Sequence, residues 1–458
     1  MPKPSVTITR DRDFYKQFFS VWSVLVLYNI ITLGVNLADN IMVGAYSENA
    51  LSGVTAVNQI QFLFQQLLMG AGDAVVVLGS QYWGQKRTEP IKRFSVGALL
   101  FGIVLSLSLF IAACVAPEGL MSLFTTSPEI KAEGVAYLRV MKYSYPVFAM
   151  TMLFLSMLRS VETVRIGFWV SVSTLVVNIS LNYLLIYGNL GFPVLGTTGA
   201  AIATLSARVT ELVIVTVYAF GLDKKLKWRL KDLFTWDKLL VKDYFKLCRS
   251  FLLTSLIFGS SILLQTVILG HMNDSAIAAN SVASTLFQML KVASIGASSA
   301  ASILIGKAIG SGKMEKIRSY TQTLQLMFLG IGLVTSVLLF VLRVPIVNLY
   351  TDLSAETRDM ALSFILVLCV TGFGTAYQMP VATGIIRGGG DGKFVMVNDI
   401  ISIWCIVIPL SFLAAFVFHW PPVAVVICLN SDQVFKCGAA AIKCNRYRWI
   451  KKLTREES

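Results

Sequence analysis

The chain has 458 residues, of which 55% are hydrophobic and 14% charged, and its mean hydropathy is +0.70. A soluble chain carries about a quarter charged residues, so a water-soluble globular protein is excluded. The net charge of +14 does not point to nucleic acid, because thirty of the 39 Lys and Arg fall in the tail before residue 18 and at 86–93, 159–165, 224–249, 307–318, 387–393 and 446–455, between long apolar runs.

Twelve such runs follow one another, at 18–43, 51–79, 94–116, 134–158, 166–187, 197–220, 248–270, 277–305, 319–342, 360–386, 394–418 and 421–443. Each can span a hydrocarbon core, which needs roughly 20 residues of helix, and backbone groups in lipid must be satisfied within the segment. The expected fold is an all-α polytopic membrane protein with twelve transmembrane helices. The first run is too long for a removable signal peptide and lacks a small-residue cleavage site. The basic segments all fall on one side, while the connections 45–50, 188–196 and 271–276 carry no Lys or Arg. The positive-inside rule therefore expects both termini in the cytoplasm of a cell (inner) membrane.

Several spans contain groups that are costly in lipid. The first ends in "NLADNIMVGA" (36–45), which places Asp39 four or five residues from the outer end. The second carries Asp73 among small residues, as a second relay or a paired structural group. The fifth, "VNISLNYLLIYG" (177–188), holds Asn178 and Asn182 four apart and so on one helix face. The sixth adds Thr204, then Arg208 and Glu211 at a spacing that lets them neutralise each other. In the second half, Lys291 is expected to line a cavity, and Asp399 lies close enough to the loop "RGGGDGK" (387–393) to be solvated. That loop lacks the GxxxxGK[ST] spacing of a phosphate loop and is expected to be a tight turn. The seven cysteines show no CxxC pair and read as small apolar residues. His271 and His419 have no metal-ligand spacing.

The chain repeats itself. An offset of 226 residues lays 43–54 on 269–280 and 69–94 on 295–320. Gly44 then meets Gly270, Gly84 meets Gly310, and Glu89 meets Glu315. The expected organisation is an N-lobe at 1–220, a basic cytoplasmic linker at 221–247, a C-lobe at 248–444 and a cytoplasmic tail at 445–458. Two halves of six helices have the same orientation, as in parallel-repeat transporters. The same offset places Asp39 opposite Gln265, so only the first half carries the acid.

Asp39, Asn178, Asn182 and Thr204, drawn from three spans, can form an oxygen-lined pocket for a cation. Neutral amide oxygens suit a hard ion, and a desolvated carboxylate favours a proton. Two alternatives stay open. Asp39 can reach the outer surface, and the two asparagines can serve as hydrogen-bonding links between helices.

These residues resemble a known family. "LADNIMVG" followed by "ENALSGV", "NISLNYLLIYGNLGFPVLGTTGAAIAT", "IGKAIGSGKMEKIRSY" and "GIIRGGGDGKFVM" are similar to segments of multidrug and toxic compound extrusion (MATE) transporters, nearest to a prokaryotic, DinF-like branch. The resemblance implies two pseudo-symmetric six-helix lobes around a V-shaped cleft. It implies secondary antiport of organic, usually cationic and amphipathic compounds against protons or sodium. Asp39 then corresponds to the first-helix coupling acid, and Asn178 and Thr204 to ligands of the N-lobe cation site. Asn182 stands where many prokaryotic members have aspartate, which favours protons over sodium at Asp39, Asn178 and Asn182. Some members carry a glutamate where this chain has Gln265, and an aspartate in the tenth helix that "GFGTAYQMP" (372–380) lacks, so a C-lobe cation site of that kind is not expected. "RSVETVR" (159–165) lacks the family's glycine. The expected partners are an organic substrate and membrane lipid, with no nucleic acid, no cofactor beyond the coupling ion, no enzymatic activity and a monomeric state. A lipid-linked oligosaccharide flippase or a peptide or metabolite exporter of the same superfamily is the alternative. It would need a strongly cationic cavity, for which Arg139, Lys142, Arg208 and Lys291 are the main intramembrane candidates.

Overall fold

The structure, a computed structural model, describes residues 8–272, 274–348 and 354–456. Its described residues form helices and connections, with no strand. We number the membrane helices α1 (Arg12–Tyr46), α2 (Glu48–Gly84), α3 (Glu89–Val115), α4 (Pro128–Met141 and Ser144–Ser160), α5 (Arg165–Leu185), α6 (Gly196–Val217), α7 (Lys238–Gly270), α8 (Asp274–Gly310), α9 (Met314–Val347), α10 (Ala355–Met379, continued by a π turn through Ile386), α11 (from Gly392 to Val417) and α12 (Pro422–Leu429 and Asp432–Asn445). Eleven of these passages are long and apolar enough to cross a bilayer as continuous segments. The exception is α4. Its interruption at Lys142–Tyr143 follows from Pro146, whose ring excludes a helical carbonyl four residues back and which has no N–H to donate.

The 226-residue offset is visible in the helices themselves. α2 and α8 are each 37 residues long and begin at Glu48 and Asp274. They are also the most enclosed of the apolar passages, far more buried than α3 and α9. The other helices keep large apolar side chains such as Val104, Ile111 and Val341 exposed, as lipid-facing surfaces require.

The chain divides into two compact units, and their borders differ from the expected lobes. The N-terminal unit comprises residues 27–79 and 86–252; the C-terminal unit comprises, of the described residues, those before 27, residues 80–85 and those from 253 onward. The start of α1 and the end of α2 thus pack with the second half. The expected linker is also shorter in practice, because α7 begins at Lys238.

Within the N-terminal unit, Val54, Leu68, Leu138, Met141 and Ala201 share one buried cluster. Lys92 pairs with Asp232 at 3.0 Å. Asp232 lies outside the spans. Burial opposes its ionisation, but hydrogen bonds from Lys92 and the Arg229 backbone hold its carboxyl below the ordinary range. The α4–α5 turn places Glu162 at φ 60°, the left-handed region that favours glycine.

Within the C-terminal unit, the core gathers Ala283, Leu286, Phe364, Ile365 and Val425. Asp11 accepts hydrogen bonds from Lys316 Nζ at 2.9 Å and the Tyr320 hydroxyl at 2.8 Å, which lower its pKa to about 2. Gly84 and Gly310, equivalent in the repeat, lie where helix ends meet. A Cβ at Gly84 would stand 2.8 Å from Ser311 N, and one at Gly310 2.6 Å from the Gln81 carbonyl carbon. The segment after α12 lies across this place: Gln81 donates to Lys451 O at 3.0 Å and accepts from Leu453 N at 2.8 Å. The glycine-rich loop is the tight turn expected. Gly390 has φ 98°, Gly389 packs against the buried Trp449 ring, and Asp391 accepts from Lys451 at 2.7 Å and pairs with Lys443 at 2.8 Å.

Candidate functional site: a carboxylate among amides

The polar residues of α1, α5 and α6 meet inside the N-terminal unit. Asn178 and Asn182 occupy one face of α5 and are 1% and 0% exposed. Asn182 Nδ2 donates to Asp39 Oδ1 at 2.5 Å and to Asn178 Oδ1 at 3.3 Å. Asn178 Nδ2 donates to Thr204 Oγ1 at 3.5 Å. Asp39 is half-buried and turned inward to this group, so of the two orientations open from sequence, the carboxylate takes the pocket. Tyr137 of α4, buried, closes the cluster beside Thr204. Sequence reasoning missed it, since a tyrosine in an apolar run carries no spacing signal. Asn182 Oδ1 is buried without a hydrogen-bond partner, which leaves one acceptor at the site unspent.

A second polar group continues along the α5–α6 seam. Arg208 Nη1 donates to both Glu211 oxygens at 3.2 and 3.1 Å, as their three-residue spacing predicts. Glu211 also accepts from Thr174 Oγ1 at 2.7 Å, and the Arg208 guanidinium lies 4.4 Å from the Phe148 ring centroid. Asp73 is a paired group: Arg159 stands 3.6 Å from it.

In the C-terminal unit, the position equivalent to Asp39 is empty of charge. Gln265 is half-buried in α7. Asp399 requires a correction. It is not solvated at the loop but pairs with Lys436 Nζ at 2.9 Å, and the same ammonium pairs with Asp432 at 3.0 Å. Lys436 and Asp432 side chains are each 5% exposed. The sequence signal was the i, i+4 spacing of Asp432 and Lys436 inside the last span, which brings opposite charges to one helix face. Gln433 Nε2 donates to Asp432 at 2.9 Å, and its Oε1 accepts from Thr375 at 3.0 Å and Gln378 at 2.9 Å. Lys291 lines a small void between α8, α9 and α10, together with Ser294 and Thr375.

The sequence pattern of the MatE family matches residues 25–184 and 251–413. The chain belongs to the MATE family. The two matches begin 226 residues apart, the offset that brings the halves into register, and members of this family are transporters rather than enzymes. Among relatives, the uncharacterized transporter YisQ of Bacillus subtilis is 25% identical over 89% of both chains. A probable multidrug resistance protein NorM of Photorhabdus laumondii is 27% identical over 85% of both. The second of these relatives bears the name NorM and neither a DinF name, so the DinF-like branch gains no support from these two. The crystal structure of a mutant of the Vibrio cholerae MATE transporter VcmN aligns with a TM-score of 0.86 at 17% identity, covering 96% of this chain and 98% of that one. The fold is that of MATE transporters, and the chain is a multi-pass membrane transporter.

Proposed function

We propose that this MATE family transporter is a secondary antiporter of the cell membrane. It exports organic, cationic and amphipathic compounds in exchange for protons in preference to sodium, with both termini in the cytoplasm. The observation that carries this reading is the hydrogen bond from Asn182 to Asp39 inside a cluster of neutral amide and hydroxyl groups.

A carboxylate in lipid is retained at a cost, and the repeat partner Gln265 indicates that the backbone plan does not demand one. The acid therefore answers to chemistry. Ionised, Asp39 needs donors, and Asn182 Nδ2 supplies one. Protonated, it becomes a donor itself, and rotation of the Asn182 amide brings its unspent oxygen to accept that proton. The site thus has a partner for each protonation state.

Sodium would need several free oxygens. Asn178 Oδ1 and Thr204 Oγ1 are already engaged by N–H donors, which favours the proton. Coupling then requires that proton binding stabilise one transport conformation over the other.

The test is dye or drug movement in everted vesicles under an imposed proton or sodium gradient. Proton-driven transport that persists when sodium is absent is the expected result. Transport driven by sodium alone would overturn the ion assignment, and transport indifferent to both gradients would overturn antiport.

A further inference from the structure

The basic segment that joins α6 to α7 is pinned from within. Trp228, 2% exposed, packs edge-on against Phe154 and Phe220, with ring centroids 6.1 and 6.3 Å away. Lys225 Nζ donates to Val161 O at 2.6 Å, and Lys92 Nζ to Lys227 O at 3.3 Å. The acids of the segment are spent on the same task. Asp223 accepts from Leu226 N at 2.7 Å, and Asp232 accepts from Arg229 N at 2.9 Å and pairs with Lys92. Asp237 accepts from the N–H groups of Leu239 and Leu240 at 2.8 and 3.2 Å.

The cations are left outside. Lys224, Lys227, Arg229, Lys231 and Lys238 are exposed, and among the described residues none of them makes an ion pair. Interleaved with them, Leu230, Phe234 and Trp236 are 71%, 84% and 60% exposed. α7 continues the pattern. Lys242, Lys246 and Arg249 are exposed on one face, and the next exposed positions of that face are Leu253 and Leu256, at the spacing of a single helical stripe. A stripe that turns from cationic to apolar within one turn marks the passage from headgroups into hydrocarbon, and the linker's patch adjoins its headgroup end.

Large apolar side chains fixed in the open are unfavourable in water. At a bilayer interface they are favourable, with Trp and Phe lodged at the acyl boundary and Lys and Arg drawn to anionic lipid. We propose that residues 221–238 form a docking surface for anionic phospholipids of the bilayer that holds the chain, the exposed Lys and Arg receiving the phosphates while Phe234 and Trp236 enter the interface. The single sign of the outward charge selects anionic headgroups, and continuity with the α7 stripe selects a bilayer over a soluble partner.

The test uses the full chain in nanodiscs of phosphatidylcholine mixed with phosphatidylglycerol, with bromine carried near the headgroup end of the acyl chains of one lipid or the other. Bromine quenches tryptophan on contact, and the difference between wild type and Trp236→Phe isolates Trp236. Both lipids should quench it, brominated phosphatidylglycerol the more strongly, and the preference should shrink as salt screens the exposed charges. Replacing Lys224, Lys227, Lys231 and Lys238 together with Gln should abolish the preference, each cation being worth about fivefold in affinity for an anionic surface. Melting temperature and quenching by phosphatidylcholine should stay as in wild type.

Equal quenching by the two lipids, or a preference indifferent to salt, would overturn the anionic headgroup assignment; the salt series uses the native lysines and so stands even if the fourfold variant does not fold. A preference that survives in a folded fourfold variant would move the lipid site off the linker. No quenching by either lipid would overturn membrane docking and leave the patch to water or to a protein, a second copy being recognised by a doubled particle mass.

Discussion

The two halves of this chain share a backbone plan and differ in how they hold charge within the membrane. In the N-terminal unit, Asp39 is met by amides and a hydroxyl, none of which carries charge. In the C-terminal unit, Asp399 and Asp432 are clamped by Lys436 at 2.9 and 3.0 Å, and the equivalent of Asp39 is Gln265. A carboxylate held by neutral donors can gain or lose a proton without stranding a counter-charge. A carboxylate locked to a buried lysine cannot, because neutralising one partner exposes the other to the full desolvation cost. On the reading proposed above, the repeat separates a group free to exchange an ion from a group that fixes structure.

The largest effect expected from this contrast is at Lys436. Lys436→Met leaves two buried carboxylates unpaired and should destabilise the C-terminal unit by about 3–5 kcal/mol, read as a fall in detergent melting temperature. A variant as stable as wild type would erase the distinction between the halves.

In the N-terminal unit, replacing Asn178 and Asn182 together with alanine should change the pH dependence of transport more than the melting temperature. The hydrogen bonds lost are worth about 1 kcal/mol each. A large loss of stability with an unchanged pH profile would make them links between helices only.

Charge pairing also holds the C-terminal segment. Burial works against ionised Asp391, but hydrogen bonds from Lys443 and Lys451 outweigh it and keep the carboxyl below its ordinary range. Its contribution is therefore present above the ordinary carboxylate range and lost as pH falls below it. Asp391→Asn should cost about 1–3 kcal/mol at neutral pH, and the difference from wild type should shrink on titration toward about pH 3. A difference that grows on acidification would show the opposite sign.

The smallest effect is at the α4–α5 turn. Glu162→Gly relieves a left-handed side-chain residue and should raise stability by about 0.5–1 kcal/mol, with transport unaltered; a destabilised variant would show that the glutamate's own contacts outweigh the strain.

Much of this arrangement was legible in the sequence because it depends on spacing along the chain. Apolar length located the passages, the fixed offset paired α2 with α8, and the four-residue interval put Asn178 and Asn182 on one face next to an acid and a threonine from neighbouring helices. What was not legible depends on proximity through space. Nothing in the order of residues announces that Tyr137 closes the Asp39 cluster, or that residues before 27 and at 80–85 pack with the second half. Asp399 was misread because its partner lies 37 residues away in a span judged only by its apolar length. The break in α4 was visible in principle, since Pro146 determines it, but overall hydropathy concealed it.

The central claim is that Asp39 carries the exchanged proton. The most direct measurement is proton release from the purified transporter in weakly buffered solution on addition of a cationic substrate, comparing wild type with Asp39→Asn. The account predicts that substrate displaces protons from wild type and none from the variant, whose substrate affinity becomes independent of pH. Equal release from both proteins, with both folded and binding substrate, would contradict it.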